Sequence, residues 1–245
     1  MTPRPQRGAL LRLAAMAMLV LLALALVLLH ARNARRSAAL VRLAPEAVLR
    51  DPSLVRYALG LAKPVYAAHC ARCHGAGLTG APAAGAPSLG AGAWLYGFGE
   101  ITDIEATILY GIRSGHPKAH NVTDMPALGR IGQLSPAEVS DVVEYVLSLS
   151  RAASDAGAVR RGLALYNDKG SCYDCHSADA SGNVDYGAPP LTAHAWLYGG
   201  ERRSLYDSVF SGRHGLCPAW INRLQPVEIR ALAVYLHAAG RRAAG

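Results

Sequence analysis

Large aromatic side chains are scarce in this 245-residue chain: it has two Phe and three Trp, all beyond residue 90. Something other than aromatic side chains therefore fills part of the interior. Charge is scarce too, at 17% of residues against 51% apolar, which excludes a disordered protein. The net charge of +8 does not mark a nucleic-acid binder, because it is concentrated at one end. Residues 1–50 hold eight arginines and one acid, Glu46, whereas residues 51–245 hold 17 basic and 16 acidic side chains. That near-balance leaves no basic footprint for DNA or RNA. No alternating apolar run of useful length occurs, so a β fold is excluded as well. The length suits one large domain or two small ones.

Leu13 to Leu29 is a run of seventeen residues without a charge, flanked by Arg4, Arg7 and Arg12 before it and Arg32, Arg35 and Arg36 after it. A membrane-spanning helix needs about 20 mostly apolar residues, with a range near 17–25. The exit Leu29-His30-Ala31-Arg32 is a poor cleavage site, so residues 1–35 read as an uncleaved anchor, with a removed signal peptide as the alternative. Arginines on both sides leave orientation open by the charge rule. Either reading exports the remainder.

Four of the five cysteines form two copies of one motif, Cys70-Ala71-Arg72-Cys73-His74 and Cys172-Tyr173-Asp174-Cys175-His176. C-x-x-C-H is the attachment signature of haem c. Two thiols three positions apart on a helical turn reach the two vinyl groups of one porphyrin, and the next residue, His, lies beneath the iron. A shared zinc would require the two pairs to meet across about a hundred residues, with each following His a coincidence. Two covalent haems are expected, on Cys70, Cys73 and His74 and on Cys172, Cys175 and His176.

Each iron also needs a sixth ligand or a vacancy. Of four Met, one is the start and two lie in the apolar run, which leaves Met125 alone for two haems. Met125 follows His74 by 51 residues and is assigned to the first haem. The matching position in the second copy is Cys217, in Leu216-Cys217-Pro218-Ala219-Trp220. Cys217 is the candidate for the second haem, with His214 or an open site as the alternatives. A thiolate favours ferric iron and lowers the potential relative to Met.

The motifs belong to an internal duplication. Trp94-Leu95-Tyr96-Gly97 recurs as Trp196-Leu197-Tyr198-Gly199 at the offset of 102 that relates the two haem motifs, and Ala86-Pro87-Ser88-Leu89 recurs loosely as Ala188-Pro189-Pro190-Leu191. Met125-Pro126-Ala127 answers Cys217-Pro218-Ala219 at 92, so the second copy has lost about ten residues near Ser114 to Thr123. Both copies read as helical. Val139, Val142, Val143, Val146 and Leu147 form one apolar stripe, and Ile229, Leu232, Ala233 and Leu236 form its counterpart, ending at Gly240. Ser135-Pro136-x-Glu138 is a helix start, and Thr102 with Glu105 suggests a capping box. Asp51-Pro52 opens the helix into the first motif, and Ser154 or Asp155 opens its partner. The expected architecture is all-α: an N-terminal transmembrane helix, then two tandem cytochrome c-like domains at 50–150 and 154–241.

Longer strings carry a resemblance. They are Ile108-Leu109-Tyr110-Gly111-Ile112-Arg113-Ser114-Gly115-His116-Pro117, the run from Asp141 to Ser150, Gly187-Ala188-Pro189-Pro190-Leu191-Thr192, and Pro218-Ala219-Trp220. On these residues the chain resembles the dihaem subunit III of cbb(3)-type cytochrome c oxidases. The resemblance implies an electron-transferring subunit, not itself an enzyme, anchored in the bacterial inner membrane with periplasmic haem domains. Its implied partners are the catalytic and monohaem cytochrome subunits of a terminal oxidase, and cytochrome c donors. It also implies Met125 as ligand of the first haem. The family has Met before the second Pro-Ala-Trp, where this chain has Cys217. The alternatives are a free-standing anchored dihaem cytochrome and a thiosulfate-oxidising type of dihaem enzyme.

Overall fold

The structure, a computed structural model, describes residues 6–81, 86–92, 94, 96–120, 123–192 and 196–243. Leu95 of the first Trp-Leu-Tyr-Gly string and Arg4 of the N-terminal flank lie outside the described residues. Nine α-helices and no strands occur among those described. Helix α1, Gln6–Arg42, is 37 residues long, about 55 Å at 1.5 Å per residue. Its apolar side chains from Leu11 to Leu29 point outward, more than half exposed, and it is the described helix long and apolar enough to cross a membrane.

Helix α2, Pro52–His69, starts as expected at Asp51, whose carboxylate accepts from the N–H groups of Ser53 and Leu54 at 2.8 and 3.2 Å. It leads directly into the short helix α3, Ala71–His74. Helix α4, Ile101–Tyr110, lacks the expected capping box. It begins two residues too early for Thr102 to cap it, with Glu100 at the N-cap. Instead, the Thr102 N–H and hydroxyl donate to Glu46 at 2.9 and 2.8 Å, and Glu105 accepts from Arg230. Helix α5, Pro136–Leu149, does carry the Ser135/Glu138 capping box. Helix α6, Ala156–Asn167, is capped by Asp155. Helices α7, Cys172–His176, and α8, Arg202–Ser211, follow. Helix α9, Pro226–Ala243, runs past Gly240, because that glycine is a flat place on the helix rather than its stop. A Cβ there would lie 2.9 Å from the Trp94 ring.

The helices pack into two cores, but not the two that the sequence copies suggest. One core combines the end of α1 (Leu40), α2 (Leu54, Ala58, Tyr66), α4 (Ile101, Ile104) and the last helix, α9 (Ile229, Leu232, Val234). The other combines α5 (Val139, Val142, Val143), α6 (Tyr166) and α8 (Leu205, Val209). The boundaries 50–150 and 154–241 delimit copies in sequence; the packing units exchange their final helices. The connection between α5 and α6 gives the reason. It spans only 150–155, which lets neighbouring helices fold back on each other as a hairpin. The buried Glu144 carboxylate fixes that turn, accepting from the Ser154 N–H at 2.9 Å and pairing with Arg202. With α5 claimed by the second unit, the first needs α9.

This exchange has a measurable consequence. Leu232 on α9 is 1% exposed, so Leu232→Ala removes about 2–5 kcal/mol from the unit that carries Cys70. Hydrogen exchange should quicken in α2 and α3 while α6 and α7 stay protected. Contiguous domains would give the opposite pattern.

Candidate haem-binding sites

Each Cys-x-x-Cys-His motif is set by the same local device. A tyrosine on the preceding helix, Tyr66 or Tyr166, donates its hydroxyl proton to a carbonyl just past the histidine, Gly75 at 2.7 Å or Ser177 at 2.6 Å. Burial pushes the Tyr66 phenol up to about 12 and Tyr166 higher still, so both remain donors. The histidine Nδ1 donates to a proline carbonyl, His74 to Pro87 at 2.9 Å and His176 to Pro189 at 3.0 Å. That bond fixes the tautomer and leaves Nε2 as a lone-pair donor aimed away from the backbone. Burial also lowers the His176 pKa, which keeps its ring neutral. The fit to a covalently held haem is therefore good: two free thiols on a single turn and an oriented imidazole beside them. The two thiol pairs lie in different packing units and share no site. The tyrosines were missed in sequence reasoning, although Val65-Tyr66 and Leu165-Tyr166 were a legible signal. The prolines stood in the loose repeat without a role.

The distal side is where the two units cross. Helix α4 ends at Gly111, with φ +75°, and the next residue, Ile112, pairs antiparallel with Cys217. The Ile112 N–H donates to the Cys217 carbonyl at 2.9 Å, and the Cys217 N–H returns to Ile112 at 3.0 Å. Helix α8 ends at Gly212, with φ +72°, and Arg213 pairs in the same way with Met125, at 3.2 and 3.0 Å. At both glycines a Cβ would collide with the carbonyl of the pairing segment, Cys217 for Gly111 and Met125 for Gly212. Only glycine meets both the positive φ and the close approach.

Met125 consequently packs against the second core and, with Cys172, Cys175 and His176, lines a cavity of about 370 Å³. Trp196, Leu197 and Tyr198 of the repeated string line the same cavity. Cys217 faces the other motif. Burial pushes its thiol up to about 11, and the neighbouring thiol that adds to this is Cys73; Cys217 in turn helps raise Cys70 to about 11. The structure thus places Met125 beside the Cys172 motif and Cys217 beside the Cys70 motif, the opposite of the expected arrangement, because each segment leads into an exchanged helix. His214, the alternative to Cys217, lies apart from that cavity. Its ring lies 3.2 Å from the Asp124 carboxylate and is more than half exposed. Arg113 ties the two paired segments together, donating from Nε to the Gly215 carbonyl at 2.7 Å and lying 3.3 Å from Asp124.

Comparison with known proteins bears on both halves. The family described as Cytochrome c matches residues 61–150. The family described as Cytochrome C oxidase, cbb3-type, subunit III matches residues 157–236. A cbb3-type cytochrome c oxidase subunit FixP from Azorhizobium caulinodans is 39% identical over 209 residues, covering 85% of this chain and 69% of that protein. The chain belongs to the cbb3-type oxidase subunit III family. A FixP from Bradyrhizobium sp. (strain ORS 278) is 40% identical over 195 residues, 78% of this chain and 64% of that relative. A CcoP from Cereibacter sphaeroides is 38% identical over 194 residues, 79% of this chain and 65% of its own length. The chain thus spans just under two thirds of these last two relatives. Membership implies covalently bound haem c, and together with α1 it supports membrane anchoring.

The crossing glycines yield a direct test. Gly212→Ala places a Cβ against the Met125 carbonyl at a positive φ, which costs about 1–3 kcal/mol. Thermal melts should show that loss, and an exposed glycine such as Gly132→Ala, with open space around it, should lose less.

Proposed function

We propose that this family member binds two haem c groups and relays electrons as part of a cbb3-type terminal oxidase. Its haem units lie on the periplasmic side of the bacterial inner membrane. The chain acts as a relay rather than as the oxygen-reducing site. Its partners are the catalytic and monohaem cytochrome subunits and cytochrome c donors. The observation that carries the reading is the crossed pairing of Ile112 with Cys217 and Arg213 with Met125. It makes the two sites one body, and a short, fixed separation is what passage of an electron between two centres requires.

In this reading Cys70, Cys73, His74 and Cys217 would hold the first haem, and Cys172, Cys175, His176 and Met125 would hold the second. When bound, haem supplies the one-electron iron couple. The chain tunes that couple through the distal atoms: the Met125 thioether is neutral, whereas a Cys217 thiolate stabilises the ferric charge. Pro87 and Pro189 keep the proximal rings in one tautomer, and the apolar walls of each unit exclude water.

Gentle detergent extraction should bring down the other oxidase subunits. Recovery of the chain alone would leave the free-standing cytochrome. In spectropotentiometric titration the pure protein should show two haem potentials, well separated. Cys217→Met should raise the lower one and leave the other unchanged. Met125→Ala should abolish the methionine–iron absorption of the haem attached to the Cys172 peptide. Loss from the Cys70 peptide instead would restore the uncrossed assignment.

A further inference from the structure

The C-terminal carbonyls of a helix have no partner within the helix and carry the negative end of its dipole. On α1 this end is not left to water. The Arg230 guanidinium, carried on α9 and 8% exposed, donates from Nη1 to the carbonyls of Leu40 and Leu43 at 3.0 and 2.9 Å. Its Nε donates to Glu105 on α4 at 2.6 Å, and that pair is itself largely buried. Around this clamp Leu40 is fully buried, the Ser37 and Tyr57 hydroxyls share a hydrogen bond at 2.7 Å, and Arg36 lies over the Tyr57 ring. The helix is unbroken from Gln6 to Arg42. The twelve residues from Leu29 to Leu40 thus form a rigid stalk about 17 Å long between the apolar run and the first haem unit.

From this arrangement we infer that Arg230 is a positioning residue: it welds the end of the membrane helix to the first haem unit, so that the unit stands at one height and one tilt above the bilayer rather than swinging on a tether. The inference rests on α1 lying in the membrane and goes beyond the relay function. An anchor joined by a flexible linker would let its haem sample many distances from a membrane partner. A clamped stalk removes that freedom before any encounter. Only arginine suits the place, because three acceptors in different directions need the planar fork of donors, whereas lysine offers a single point charge. The arginine also sits on the exchanged helix. The helix that completes the first core is therefore the one that grips the anchor.

The test uses the full haem-loaded chain reconstituted into stacked bilayers, with linear dichroism of the haem bands as the readout. The wild type should be strongly dichroic. Arg230→Met and Arg230→Lys should lose that dichroism while haem content and potentials stay unchanged. Because removing one partner of a buried pair destabilises a fold, the double variant Glu105→Leu with Arg230→Met is made alongside. It removes the charge pair without leaving an unpaired carboxylate. A second readout needs no haem: trypsin cleavage after Arg42 should quicken about tenfold in each variant while cleavage after Arg151 does not change. Retained dichroism and unchanged cleavage at Arg42 in the double variant would overturn the inference. Release of the wild-type chain from membranes by alkaline wash would instead overturn the membrane reading beneath it.

Discussion

Two backbone pairings, each of two hydrogen bonds, tie this molecule together. Where α4 ends, Ile112 takes hold of Cys217; where α8 ends, Arg213 takes hold of Met125. Each pairing depends on a glycine that turns the chain and leaves no Cβ in the way. Because each segment carries its residue across to the other copy's motif, each Cys-x-x-Cys-His motif has a residue of the other sequence copy beside it. The same segments lead into α5 and α9, so the exchange of these residues and the exchange of core helices are one topological fact.

That exchange also distributes mechanical roles. Helix α9 fills the first core, receives Trp94 at Gly240, donates from the His237 Nδ1 to the Gly99 carbonyl, and presents Arg230 to α1. Helix α5 forms a hairpin with α6 and seals the second unit through Glu144. Cys217 lies with the motif of the unit joined to α1, and Met125 packs on the other unit.

Much was legible beforehand. The anchor, the two proximal motifs, the capping signals at Asp51, Ser135 and Asp155, and the apolar stripes of α5 and α9 are all short-range features. Spacing and side-chain type suffice to read them. The scarcity of Phe makes sense once two porphyrins are expected inside. The errors share a single cause. The Thr102/Glu105 capping box, the Gly240 stop and the placement of Met125 beside the first motif each assumed that a residue lies with its sequence neighbours. Glu105 serves Arg230, Gly240 serves Trp94, and Met125 serves His176's unit.

The amino-acid order by itself determined the two Cys-x-x-Cys-His motifs and that helices surround them, because those properties depend on chemistry within a turn or two of chain. Which distal residue faces which motif was decided only by the tertiary structure. The stripes of α5 and α9 are nearly interchangeable in pattern, so periodicity cannot choose between them. The choice fell to chain connectivity, through a six-residue turn that gave α5 to the second unit and left α9 to complete the first.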